Sequence, residues 1–210
     1  MSVTTLLASR SGTQLVRRVK LLAWSGNAWH LVEFGIAVGA GIAAGSVALV
    51  AFGADSLIEA FAGLIIVWRF SGSRRESAAA ERRAQQLIAV SFFLLVAYIA
   101  VAATRSLALA EHPNTSRVGI GLAAFTAATM PLLATAKRRA GRRLGSAATV
   151  SEAAQNQICC YLSVALLAGL LANALAGWWW ADPVAAFAIA AGAAREGWQS
   201  WKGESCDCCG

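Results

Sequence analysis

Charge is scarce in this sequence. Asp, Glu, Lys and Arg together make up 14% of its 210 residues, against about 25% in a soluble globular domain, so too little ionisable surface is present to keep a globule in water. Proline is nearly missing, at 3 residues, while 58% of the chain is hydrophobic; that balance excludes disorder. Histidine is rarer still, because His30 and His112 are the only two. No Ser-His-Asp set and no Gly-rich phosphate loop accompanies them, so no catalytic residue and no organic cofactor is expected, and the chain does not read as an enzyme. The first 20 residues contain no apolar core ahead of a small-residue cleavage site, so no removable signal peptide is expected there.

Long apolar runs are what the sequence does have. They cover residues 24–44, 48–70, 87–109, 118–135, 157–177 and 183–198, close to the roughly 20 residues a helix needs to cross a bilayer. The expected fold is all-α: six transmembrane helices within residues 24–201, a basic leader at 1–23 and a Cys-rich tail at 202–210. The first two runs are nearly fused. Because residues 24–70 are too many for one span, a hairpin is expected at the small residues Gly41, Gly45 and Ser46.

The basic residues orient these spans. All but Arg105 and Arg117 fall in the leader, the 2–3 loop, the 4–5 loop or the carboxy-terminal region, and the positive-inside rule then puts both termini in the cytoplasm. The net charge of +7 is accounted for by this topology, without nucleic acid as a partner. The expected location is the plasma membrane, although no address signal is present. Residues 13–22 read either as an amphipathic helix on the inner leaflet or as a solvated leader. Trp178, Trp179 and Trp180 at one level, and Trp198 and Trp201 at the other, read as interfacial anchors.

Acidic residues inside apolar spans are costly, about 2.5 to 3.5 kcal/mol each by insertion scales, and are functional candidates for that reason. Glu33, Asp55 and Glu59 qualify. Asp55 and Glu59 are four positions apart in span 2, so their carboxylates share one helical face. Two anions so placed repel one another unless a divalent cation sits between them. The alternatives are a protonated carboxyl bonded to a neighbouring helix, or Asp55 as a helix cap near Gly53. Glu33, three residues after His30, reads as an internal pair or a proton relay.

Span 5 offers a partner half-site. Gln155 and Cys159 are also four apart and face together with an amide oxygen and a thiol, the latter a ligand for soft or borderline cations once ionised. Taken singly, Cys159 or Cys160 also reads as a small buried hydrophobe. The tail residues Cys206, Cys208 and Cys209, with Glu204 and Asp207, form a flexible chelator on the reducing side, short of the four ligands of a closed zinc site; palmitoylation or an idle tail are the other readings. The 2–3 loop acids Glu76 and Glu81 sit among arginines as a salt-bridged extension. Gly35, Gly39, Gly41 and Gly45, and Ala168, Ala172 and Ala176, allow close helix packing within the chain or across a homodimer.

These residues resemble the cation diffusion facilitator family. Asp55-Ser56-Leu57-Ile58-Glu59 looks like the span 2 half of that family's site, after a lead-in at Gly45-Ser46-Val47-Ala48-Leu49 that is lengthened around Phe52 and Gly53. Gly141 to Glu152 looks like the family's approach to span 5. The resemblance covers residues 33–202 and implies six spans, cytoplasmic termini and export of divalent cations, usually Zn2+, against protons. It also implies a His and an Asp four apart in span 5. Here a gapless count from Ser146 puts Gln155 and Cys159 on those positions, whereas a count back from Asp182 puts Asn156 and Cys160 there. Either way the site has less negative charge and span 5 lacks an imidazole. The chain ends soon after span 6, as in the short membrane-only branch without the cytoplasmic domain. The implied activity is Zn2+ efflux by proton-coupled antiport through Asp55, Glu59, Gln155 and Cys159; the alternative is a non-transporting membrane metal sensor or partner subunit that uses the tail.

Overall fold

The computed structural model describes residues 3–69 and 78–202. Among them are six α-helices: α1 (Val3–Ala44), α2 (Val47–Arg69), α3 (Ala78–Ala108), α4 (Arg117–Leu144), α5 (Ala147–Ala176) and α6 (Ala181–Lys202). Arg74, Arg75 and Glu76, and the side chain of Glu81, lie outside the description. The 42 residues of α1 are about 63 Å long, twice the hydrocarbon thickness of a bilayer. Residues 13–22 therefore continue α1 instead of forming an element of their own, and Val16, Val19 and Ala23 are buried together with Ala140 of α4.

Two hairpins, α1–α2 and α4–α5, are built on the same turn. Gly45 and Gly145 adopt φ of 68° and 62°, the left-handed region that a side chain disfavours. Each is followed by a serine whose hydroxyl accepts from the backbone three residues on, Ser46 from Leu49 at 3.1 Å and Ser146 from Thr149 at 3.3 Å, which caps the next helix. Gly41 lets the first hairpin close, since a Cβ there would lie 2.8 Å from Val50 Cγ2. The other principal packing pair, α3 with α6, joins elements distant in sequence.

Hydrogen bonds between connections define the two ends of the bundle. At one end Asn114 N donates to Ala44 O at 2.7 Å and Asn173 Nδ2 donates to Pro113 O at 2.8 Å. At the same end Asp182, opening α6, accepts from Ser46 Oγ at 2.5 Å and Ala48 N at 3.1 Å, so α6 caps α2. Asp182→Ala is expected to cost about 1 to 3 kcal/mol and Asp182→Asn less, because the amide keeps an acceptor; thermal unfolding in detergent measures both. The Gly145–Ser146 turn lies at the opposite end, with Arg138, Arg139, Arg142 and Arg143 on the last turns of α4.

Polarity runs inside out relative to a soluble bundle. Ile42, Leu94, Val101, Leu132 and Leu175 are exposed, whereas His30, Glu33, Asp55, Glu59, Gln155 and Asn156 are each no more than 3% exposed. Among the described residues four helical segments, Val47–Ile65, Arg82–Ala108, Arg117–Leu144 and Glu152–Ala176, are long and apolar enough to cross a membrane. Asn27, His30 and Glu33 dilute the apolar stretch of α1, and Asp182, Arg195 and Glu196 that of α6, so those two helices fall short. The protein is an integral membrane protein with its polar groups gathered at the centre.

Candidate metal centre

The outward face of α2 carries Leu57, Phe61 and Leu64, all exposed, which turns Asp55, Ser56 and Glu59 into the bundle. Likewise α5 exposes Tyr161 and Val164 and buries Gln155, Asn156 and Cys159. Ligand atoms of Asp55, Glu59 and Cys159 all lie within 4.8 Å of one another. Gln155 joins Asp55 and Glu59 around a crevice too narrow to seat a water molecule, completed by Phe92, Ile158, Leu162, Ala193 and Glu196. Among the described residues Asp55 Oδ1 and both polar atoms of Gln155 have no hydrogen-bond partner. Buried polar atoms are ordinarily paired, and the two unpartnered oxygens at this crevice, Asp55 Oδ1 and Gln155 Oε1, are acceptors that a cation could use.

The alternative pair goes elsewhere. Asn156 Nδ2 lies 3.1 Å from His30 Nε2, and Cys160 Sγ donates to Ala127 O at 3.4 Å. Gln155 and Cys159 are thus the α5 residues brought to Asp55 and Glu59. The chain's own repeat reports the same register: Gly41, Gly45, Ser46 and Val50 recur at Gly141, Gly145, Ser146 and Val150, and that constant offset pairs Asp55 with Gln155 and Glu59 with Cys159. Repeated hairpins with a site at their junction are a recurrent transporter design.

A second cluster comes from α1. His30 Nδ1 lies 3.4 Å from Glu33 Oε2 and 3.1 Å from Glu59 Oε2. Glu33 also accepts from Ser56 Oγ at 3.0 Å and from Thr126 Oγ1 of α4. The pairing of His30 with Glu33 read from their spacing is therefore present, and it extends to Glu59. Hence the imidazole that α5 lacks stands beside Glu59 from a different helix. Ligand atoms of His30, Glu33 and Glu59 also fall within 4.8 Å of one another, so Glu59 belongs to both clusters.

The charges are not balanced. Glu33, Asp55, Glu59 and Glu196 are all buried in one interior, and the buried cation nearby, Lys137, is engaged with Glu152 at 2.6 Å. Carboxylates so confined repel one another in a medium that screens poorly, and a bound cation or protons must relieve them. Sequence reading missed three of these groups. Lys137 fell in the basic 4–5 loop and Glu152 in the approach to span 5, and Glu196 was not singled out. The warning sign for Glu196 was an acid inside the last apolar run, at a spacing that returns it to the buried face with Ile189 and Ala193. Cys206, Cys208 and Cys209 lie outside the described residues.

A family model described as the cation efflux transmembrane domain matches residues 28–202. No curated protein matches the chain.

Proposed function

The chain belongs to the cation efflux family, whose members are carriers of divalent metal cations and not enzymes, and from that premise we propose that it exports Zn2+ by proton-coupled antiport with alternating access. Asp55, Glu59, Gln155 and Cys159 form the transport site in this reading. One observation carries it: Asp55, Glu59 and Cys159 converge inside a bundle whose outer face is apolar, with Asp55 Oδ1 unpartnered. Carboxylate and thiolate together suit a borderline cation such as Zn2+ better than Mg2+ or Ca2+. The two Gly-Ser turns stand at opposite ends of the bundle, an arrangement that supports opening first toward one side and then toward the other. Six spans with both termini cytoplasmic follow from placing the basic end of α4 inside, and the plasma membrane as location and a homodimer are part of the same proposal.

Proteoliposomes loaded with a zinc-sensitive dye and a pH dye test this directly. The expected result is Zn2+ movement with a simultaneous opposite movement of protons, enhanced by an imposed pH gradient. Zinc flux indifferent to the gradient would remove the proton coupling, and no flux of zinc, cadmium, iron or manganese would remove transport altogether.

A further inference from the structure

We propose that Glu196 of α6 is a further ligand of the cation held by α2 and α5, adding a third carboxylate where those two helices offer only the neutral Gln155 amide oxygen as a fourth donor. The inference rests on the transport-site reading above and names a residue that reading does not use. Asp55, Glu59 and Cys159 provide three ligands, and a borderline divalent cation such as Zn2+ takes four. Gln155 offers only a neutral amide. Glu196 offers a carboxylate, is 1% exposed and lines the same cavity as Asp55, Glu59 and Gln155.

No buried cation among the described residues is paired with Glu196. Its Oε1 has no hydrogen-bond partner among the described residues. Arg195 beside it in sequence is exposed, and Lys137 is engaged with Glu152 at 2.6 Å. Water is no remedy, because the cavity is too narrow to seat a water molecule; a dehydrated metal ion is smaller. Packing also keeps Glu196 where it is: a Cβ on Gly197 would lie 3.1 Å from Phe92 Cβ, and one on Gly192 would lie 3.0 Å from Leu162 Cδ2, so α6 is pressed against α3 and α5 on both sides of this residue. An acid at this position in a merely structural role would carry a partner. Glu196 stands outside the set of ligand atoms already within 4.8 Å of one another, so a side-chain rotation within the shared cavity brings its unpartnered oxygen to the cation.

The test is Zn2+ titration calorimetry on the full chain in detergent, with Cys206, Cys208 and Cys209 changed to Ser throughout so that the tail does not contribute. Against that background Glu196→Gln, Glu196→Asp and Asp55→Asn are compared. Glu196→Gln is expected to raise the Kd for Zn2+ about 10- to 100-fold, Glu196→Asp to fall between it and the parent, and stoichiometry at saturation to stay unchanged. Cd2+ titration followed by the thiolate charge-transfer band of Cys159 serves as the second readout, its midpoint moving with Glu196→Gln while the band itself is retained, which a misfolded variant would not give. Binding that is lost in Asp55→Asn but unaltered in Glu196→Gln overturns this inference and leaves the transport site standing. Absence of binding in the parent overturns both.

Discussion

Replacing Glu59 with Gln is expected to reduce Zn2+ flux in proteoliposomes by at least about 100-fold, with Asp55→Asn close behind. Both changes preserve shape and remove one negative charge, so folding and insertion should survive. Glu59 is the more sensitive position because it serves two clusters, lying within 4.8 Å of Asp55 and Cys159 on one side and of His30 and Glu33 on the other. An amide there weakens the cation site and leaves His30 Nδ1, now 3.1 Å from Glu59 Oε2, without a carboxylate on the α2 side. Flux and bound-metal stoichiometry measured on the same preparations check the prediction. If both variants carry zinc, cadmium, iron and manganese at the parental rate, the α2 acids are not the transport site.

Lys137→Met should produce the largest loss of stability. Lys137 and Glu152 are both buried and 2.6 Å apart, tying the last turns of α4 to the first turns of α5. Removing one partner of a buried pair strands the other charge, at about 3 to 5 kcal/mol. For a chain of this size that amounts to about 6–20 °C in the thermal midpoint. The double variant Lys137→Met with Glu152→Leu should recover most of the loss, because two apolar side chains can pack where two charges stood. Thermal unfolding of the three variants in one detergent gives the answer, and a single variant as stable as the parent would show that water reaches Glu152. The effect is on folding, whereas Glu59→Gln acts on binding, so the two predictions fail independently.

The helices were legible because their signals are local. The apolar runs and the Gly45–Ser46 break depend on residues within a few positions of one another, and the structure turns the chain at that break. The i, i+4 spacing of Asp55 and Glu59 placed both on one face for the same reason. Register in α5 was harder. Gln155 and Asn156 differ by about 100° around the helix, and the site's position on α5 decides which of them faces α2; the repeat of Gly41 through Val50 at Gly141 through Val150 held that information and lay unread. Lys137 was misplaced because α4 extends to Leu144, well past the apolar run that ends near residue 135, and the bundle covers the extra turns.

From sequence alone come a membrane protein, all-helical, with paired acids in its second apolar helix and a basic end, since hydropathy, helical period and loop charge are set by neighbours along the chain. Only the folded molecule decided that His30 meets Glu59, that Glu33 is held by Ser56 and Thr126, that Lys137 is committed to Glu152 and that Glu196 lines the same crevice as Asp55 and Glu59. Each of those meetings joins different helices. Which faces come together depends on the mutual rotation of packed helices, a property of the assembled bundle that no single stretch of sequence carries.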